Sequence, residues 1–224
     1  MKLWPQLRIF LLGSTCVSVF FVLAAINLSI TLNKGPITAY SFPQRVNLSE
    51  WLFTKSSELP QKANENLSGA NAIVSGKRYQ LVQNDVPLMV EVRPVFNTDG
   101  NIQRLVERSR VSPISIDDSS SMIREKEGVG IYGLSIDEGQ AYLDTCLNTR
   151  GKSTFTREQF MANQMNYRMQ LGRLIALLWG QERLNDHRCL WIRLALPISK
   201  VQPKAVYPIL EKAWLSLYPQ LYAP

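Results

Sequence analysis

Histidine is nearly absent: His187 is the only one in 224 residues. A single imidazole cannot furnish the two or three of a common catalytic zinc site. The three cysteines, Cys16, Cys146 and Cys189, form no CxxC pair, so no metal site and no cofactor is expected. Acidic residues are also the minority, 18 against 25 Lys plus Arg, a net charge of +7. With 12 Gly and 12 Pro the chain has neither a collagen-like nor a disordered composition, and no repeat of fixed period marks it as a solenoid. What remains is one globular domain with a distinct N-terminal segment.

Between Ile9 and Leu32 there is no charged residue. A helix of that length rises roughly 36 Å, enough to cross a hydrocarbon core of about 30 Å. Residues 1–33 therefore read as a single-pass transmembrane anchor in the inner (plasma) membrane. Lys2 and Arg8 favour a cytoplasmic N-terminus and place the main domain outside the cytoplasm. The competing reading is a signal peptide cleaved near Ala24 and Ala25, but the apolar run continues past them. Cys16 lacks the upstream leucine of a lipobox and reads as a small residue in the membrane helix.

Residues 34–75, with Gly35, Pro36, Pro43, Pro60 and Gly69, read as a connector carrying one turn of helix around Leu48 to Phe53. Residues 76–224 are the domain. Leu88, Val90 and Val92 alternate with Met89, Glu91 and Arg93 as in a strand, and Pro94 argues for an edge or bulge. Asn97 to Gly100 is the turn of a first hairpin whose second strand is Ile102 to Val106, and Ser109 to Lys126 is a polar loop. Val129 to Ile136 and Gln140 to Leu147 form a hairpin about Asp137-Glu138-Gly139. Thr156 and Gln159 fit a capping box with Phe155 and Phe160 as its staple, starting a helix at Arg157 that runs to about Trp179. Leu190, Ile192, Leu194 and Leu196 mark a strand whose leucine side faces a core, and a short helix is entered at Pro208. The order predicts an α+β domain, an antiparallel sheet with helices packed on one face.

Three groups of residues could carry chemistry. Cys146 and Cys189 sit in strands on the side opposite the leucines, and are either a disulfide or two buried thiols. Asp186, His187 and Cys189 crowd together, but side chains two apart on a strand point in parallel and do not bring an imidazole onto a sulfur. The third group is the loop with Asn148, Arg150, Lys152, Ser153 and Thr154, polar for a strand-to-helix link and able to hold a carboxylate or phosphate. Taken alone it reads better as capping and turn formation. Arg188 adds positive charge nearby. Lipid head groups, acidic glycan or an acidic protein face suit such a surface; nucleic acid does not.

The stretch from Tyr142 through Asp144, Cys146, Asn148, Arg150-Gly151, Ser153-Thr154 and Thr156 to Gln159-Phe160, with Leu184 to Trp191 and Trp214, resembles cyanoexosortase A system-associated proteins, an exosortase accessory family. The resemblance implies a non-enzymatic helper in protein sorting and exopolysaccharide production. Its partner would be the exosortase, a membrane protease and transpeptidase, or the sorted substrate, or a surface glycan. It carries no catalytic residue to this chain. With the resemblance added, Asn148, Arg150, Lys152, Ser153, Thr154 and Arg188 become the expected binding surface. The alternative is an envelope thiol enzyme or hydrolase using Cys189 or Cys146.

Overall fold

A computed structural model describes residues 11–24, 40–61, 69–109, 122–148, 152–168, 187–198 and 203–221. The chain divides into two compact units, one of residues 1–39 and 168–186, the other of residues 40–167 and 187–224. Of the first, a helix over residues 11–24, α1, is described. The described stretch rises about 21 Å, against a hydrocarbon core of about 30 Å. Among the described residues no helix is long and apolar enough to cross a membrane. The expected transmembrane anchor over 1–33 is therefore corrected, and with it the single-pass inner-membrane placement and the cytoplasmic N-terminus built on that anchor.

The second unit is a nine-stranded sheet. Its strands are β1 (Leu52–Leu59), β2 (Ala72–Ile73), β3 (Gly76–Gln83), β4 (Val86–Phe96), β5 (Met122–Lys126), β6 (Gly130–Asp137), β7 (Gln140–Asn148), β8 (Ser153–Thr154) and β9 (Cys189–Pro197). Its helices are α2 (Ile102–Ser109), α3 (Arg157–Arg168) and α4 (Pro203–Leu221). The sheet runs β1-β3-β4-β9-β7-β8-β6-β5, with β2 paired to β4 and β6 also paired to β7. It is mixed rather than antiparallel, because β8 joins β6 in parallel through Gly130 and Ser153. Gly130, at φ 112, allows this approach: a side chain there would run into the Ser153 backbone.

Helices pack on both faces rather than on one. On the first, the leucine sides of β9 and β7 and the valines of β4 meet a stripe of α4: Val206, Leu210, Ala213, Trp214, Leu217 and Leu221. That helix begins at Pro203, not Pro208, which lies inside it. Proline suits a first helical position, and Val206 in the added turn extends the buried stripe. The arm over residues 40–50 straps it down. Tyr79 Oη donates to Pro43 O at 2.8 Å, and Gln220 Nε2 donates to Asn47 O at 2.6 Å. The expected connector thus contributes an arm and two strands, and the segment read as a helical turn at Leu48 to Phe53 leads into β1.

The second face lies under α2 and the start of α3, where Ile102, Leu105, Val106, Phe155 and Phe160 meet Val95, Cys146, Cys189 and Trp191. The run Ile102 to Val106 is helix rather than the expected strand, buried at Ile102, Leu105, Val106 and Ser109, the spacing of one helical face. Asn101 Oδ1 caps it by accepting from Arg104 N at 3.2 Å. The capping box at α3 is present: Gln159 Oε1 accepts from Thr156 N at 2.9 Å and Thr156 Oγ1 from Gln159 N at 3.4 Å. Its expected continuation to Trp179 lies outside the described residues, as does most of the Ser109 to Lys126 loop, whose end forms β5. The β6–β7 hairpin turns on Glu138 (φ 44) and Gly139 (φ 75), a two-residue loop with both centres left-handed.

Candidate functional site

The two cysteines form a disulfide, Cys146 to Cys189, with Cα atoms 5.6 Å apart. It joins adjacent strands diagonally, since Cys146 stands opposite Trp191 and Asn148 opposite Cys189. Closing a span of 43 residues stabilises the fold by about 4 kcal/mol on the chain-entropy argument. Both sulfurs are buried in the apolar cluster of the second face, and neither is a thiol. His187 contributes its backbone carbonyl, accepting from Thr98 N at 2.9 Å.

The expected binding loop divides. Ser153 and Thr154 are buried, with hydroxyls committed to the backbone: Ser153 Oγ donates to Val129 O at 3.0 Å, Thr154 Oγ1 to Cys146 O at 3.4 Å. Asn148 is buried too, and its Nδ2 donates to Lys152 O at 3.3 Å. Asn163 Nδ2 reaches the same carbonyl at 2.9 Å. These residues close the loop, which is the capping and turn role. The Lys152 side chain is exposed, Arg188 is half-buried just before β9, and Arg150 lies outside the described residues. Among the described residues no group of His, Cys, Asp and Glu could hold a metal ion.

The densest polar chemistry is elsewhere on the second face. Strand register sets four side chains in a row across four strands: Arg78 on β3, Glu91 on β4, Arg193 on β9 and Asp144 on β7. Their signs alternate. Arg193 Nε donates to Asp144 Oδ1 at 2.8 Å and Nη2 to Oδ2 at 3.2 Å, a forked pair with both side chains 5% exposed or less. Trp191 Nε1 donates to the same Oδ1 at 2.9 Å. The Arg193 guanidinium also lies 5.0 Å from the Tyr142 ring centre and 5.2 Å from that of Trp191, within cation–π range. Burial opposes its charge, but Asp144 more than offsets that and pushes its pKa up.

Glu91 serves two arginines, accepting from Arg78 Nε at 2.8 Å and lying 3.7 Å from Arg93 Nε. Burial lowers the Arg93 pKa; Glu91 works against that shift, and Arg78 and Arg193 reinforce it. Reading the alternation of β4 only as strand periodicity missed this row. The available signal was Asp144, a carboxylate within the apolar run Ala141 to Leu147: an acid in a strand buried on both faces needs a basic partner. Comparison with protein-family models, curated proteins and solved structures finds no match, so the resemblance to exosortase-associated proteins rests on the residues that carry it.

Proposed function

We propose that this chain is a non-enzymatic binding protein of an exosortase-type sorting and exopolysaccharide system, engaging the exosortase, its sorted substrate or a surface glycan. The observation that carries this reading is the use to which the resembling residues are put. Asp144, Cys146, Ser153, Thr154, Thr156, Gln159, Cys189 and Trp191 all hold the β7–β8–α3 corner and β9 together. A signature spent on architecture fits a domain that presents a surface better than one that turns over a substrate. The disulfide also weighs against the thiol-enzyme alternative, since it occupies both Cys146 and Cys189. Such a bond is kept in an oxidising compartment.

Among the described residues of the expected surface, Lys152 is exposed and available to a partner. Lys152→Glu is expected to reduce co-purification of the exosortase from cells while leaving the thermal midpoint within about 2 °C of the parent, as surface changes usually do. Unchanged recovery of the complex would overturn this surface.

A further inference from the structure

The arm that straps α4 is held by groups outside itself. Among the described residues no strand of the sheet pairs with residues 40–50; what fixes them is a set of side chains on distant elements. Gln220 clamps one residue twice, its Oε1 accepting from Asn47 N at 2.8 Å and its Nε2 donating to Asn47 O at 2.6 Å, the double bond that a paired strand would make. Ser49 N donates to Ser216 Oγ at 3.2 Å, and Tyr79 Oη holds Pro43 O. Val46 and Leu48 add two buried side chains to the apolar cluster of the first face. Each anchor therefore meets arm backbone or an apolar side chain, from an element that keeps its place if the arm leaves. The arm of a second copy satisfies the same groups atom for atom.

The hinge that returns the arm to its own domain is strained. Leu48 O accepts from Trp51 N at 3.1 Å, closing a four-residue turn whose third residue, Glu50, has φ 71. Glycine or asparagine is the usual occupant of such a position, because a Cβ there crowds the following carbonyl. Glu50 is neither, and its contact with Lys212 at 2.7 Å is exposed on both sides, so it offsets little of that strain. Straightening the turn relieves the strain in both members of a pair while every anchor is remade, and strained hinges of this kind are where chains exchange an element.

We propose that two copies of this chain exchange arms: residues 40–50 of each seat on α4 of the other, with the hinge at Glu50 opened to continue β1. The residues ahead of the arm travel with it. The proposal stands on the anchors and the hinge and does not depend on the exosortase reading.

The test is light scattering of the full chain across concentration, with a cross-link to locate the arm. The parent is expected to pass reversibly from monomer to dimer as concentration rises. Glu50→Gly, which takes φ 71 without strain, should weaken dimerisation by about tenfold or more, since two hinges are relaxed per dimer. Glu50→Pro, whose ring forbids that φ and suits an extended hinge, should tighten it by about as much. Glu50→Ala loses the Lys212 contact but keeps a Cβ, and should dimerise like the parent. For the cross-link, copies with Asn47→Cys are mixed with copies with Gln220→Cys, all in a Cys16→Ser background, and oxidised; a disulfide-linked heterodimer is expected, and replacing the second partner by Lys55→Cys should abolish it. The glycine variant and the cross-link decide the matter even if Glu50→Pro does not fold. A parent monomeric at every concentration, a dimer without the heterodimeric cross-link, or Glu50→Gly dimerising as tightly as the parent would each overturn the proposal.

Discussion

The two faces of the sheet are built on opposite principles. Under α4, Val90, Ile192, Leu194 and Leu143 meet Leu210, Trp214 and Leu217, and what holds them is apolar area removed from water, tolerant of position within limits of shape. On the other face, Arg78, Glu91, Arg193 and Asp144 depend on register: a slip of one residue would leave charges buried without partners. The first face is held by how much is buried, the second by what stands opposite what.

Substitution separates the two. Asp144→Ala is expected to cost about 3–5 kcal/mol, because it leaves Arg193 buried without its carboxylate and takes the acceptor from Trp191 Nε1. Adding Arg193→Met should recover most of that loss. Trp214→Ala, fully buried on the other face, should cost a similar 3–5 kcal/mol through the cavity it opens, and no second truncation should recover it. Denaturant midpoints of the four proteins measure this. A rescue of Trp214→Ala as large as that of Asp144→Ala would erase the distinction.

Next in size is the disulfide. Cys146→Ser with Cys189→Ser should lower stability by about 2–5 kcal/mol, measured in the same unfolding experiment, and a change under about 1 kcal/mol would show that register alone holds this face. Smallest is a pH effect on the first face. Tyr132 is pushed up to about 12, mainly by burial and then by its hydrogen bond to Glu211. Its neutral form is favoured in the folded state, so this contribution is fully present below about pH 10, the ordinary tyrosine range, and is lost as pH rises toward about 12. Tyr132→Phe should flatten the fall in stability over that window.

Much of the fold was legible because the period-2 and capping signals were local. The β6–β7 hairpin follows from Asp137-Glu138-Gly139, α3 from Thr156 and Gln159, and β9 from its leucines. Three features were not. Helix α2 has only eight residues, and although Ile102, Leu105 and Val106 are spaced as one helical face, so short a run after a turn also suits the second strand of a hairpin; Asn101 as a cap was the signal not used. Strand β1 is an edge with five exposed positions of eight, so it carries almost no hydrophobic alternation. The charged row was not singled out, since a sequence reports charges without reporting what lies across the strand from them. For the same reason Ser153 and Thr154 suggested ligand donors although their hydroxyls answer backbone carbonyls. The transmembrane reading went wrong differently: an uncharged run sets an upper bound on helix length, and the helix described within it is shorter.

The placement of β9 has a consequence for biogenesis. It sits between β4 and β7 at the middle of the sheet, yet it is the last of the described strands to be synthesised. Until residue 197 is available, β4 and β7 each present an open hydrogen-bonding edge flanked by bare leucine and valine, the kind of surface on which nascent chains stick to one another. Productive folding of this sheet has to wait until Cys189–Pro197 has been made. Truncations upstream of β9 should therefore yield insoluble material rather than a smaller folded domain.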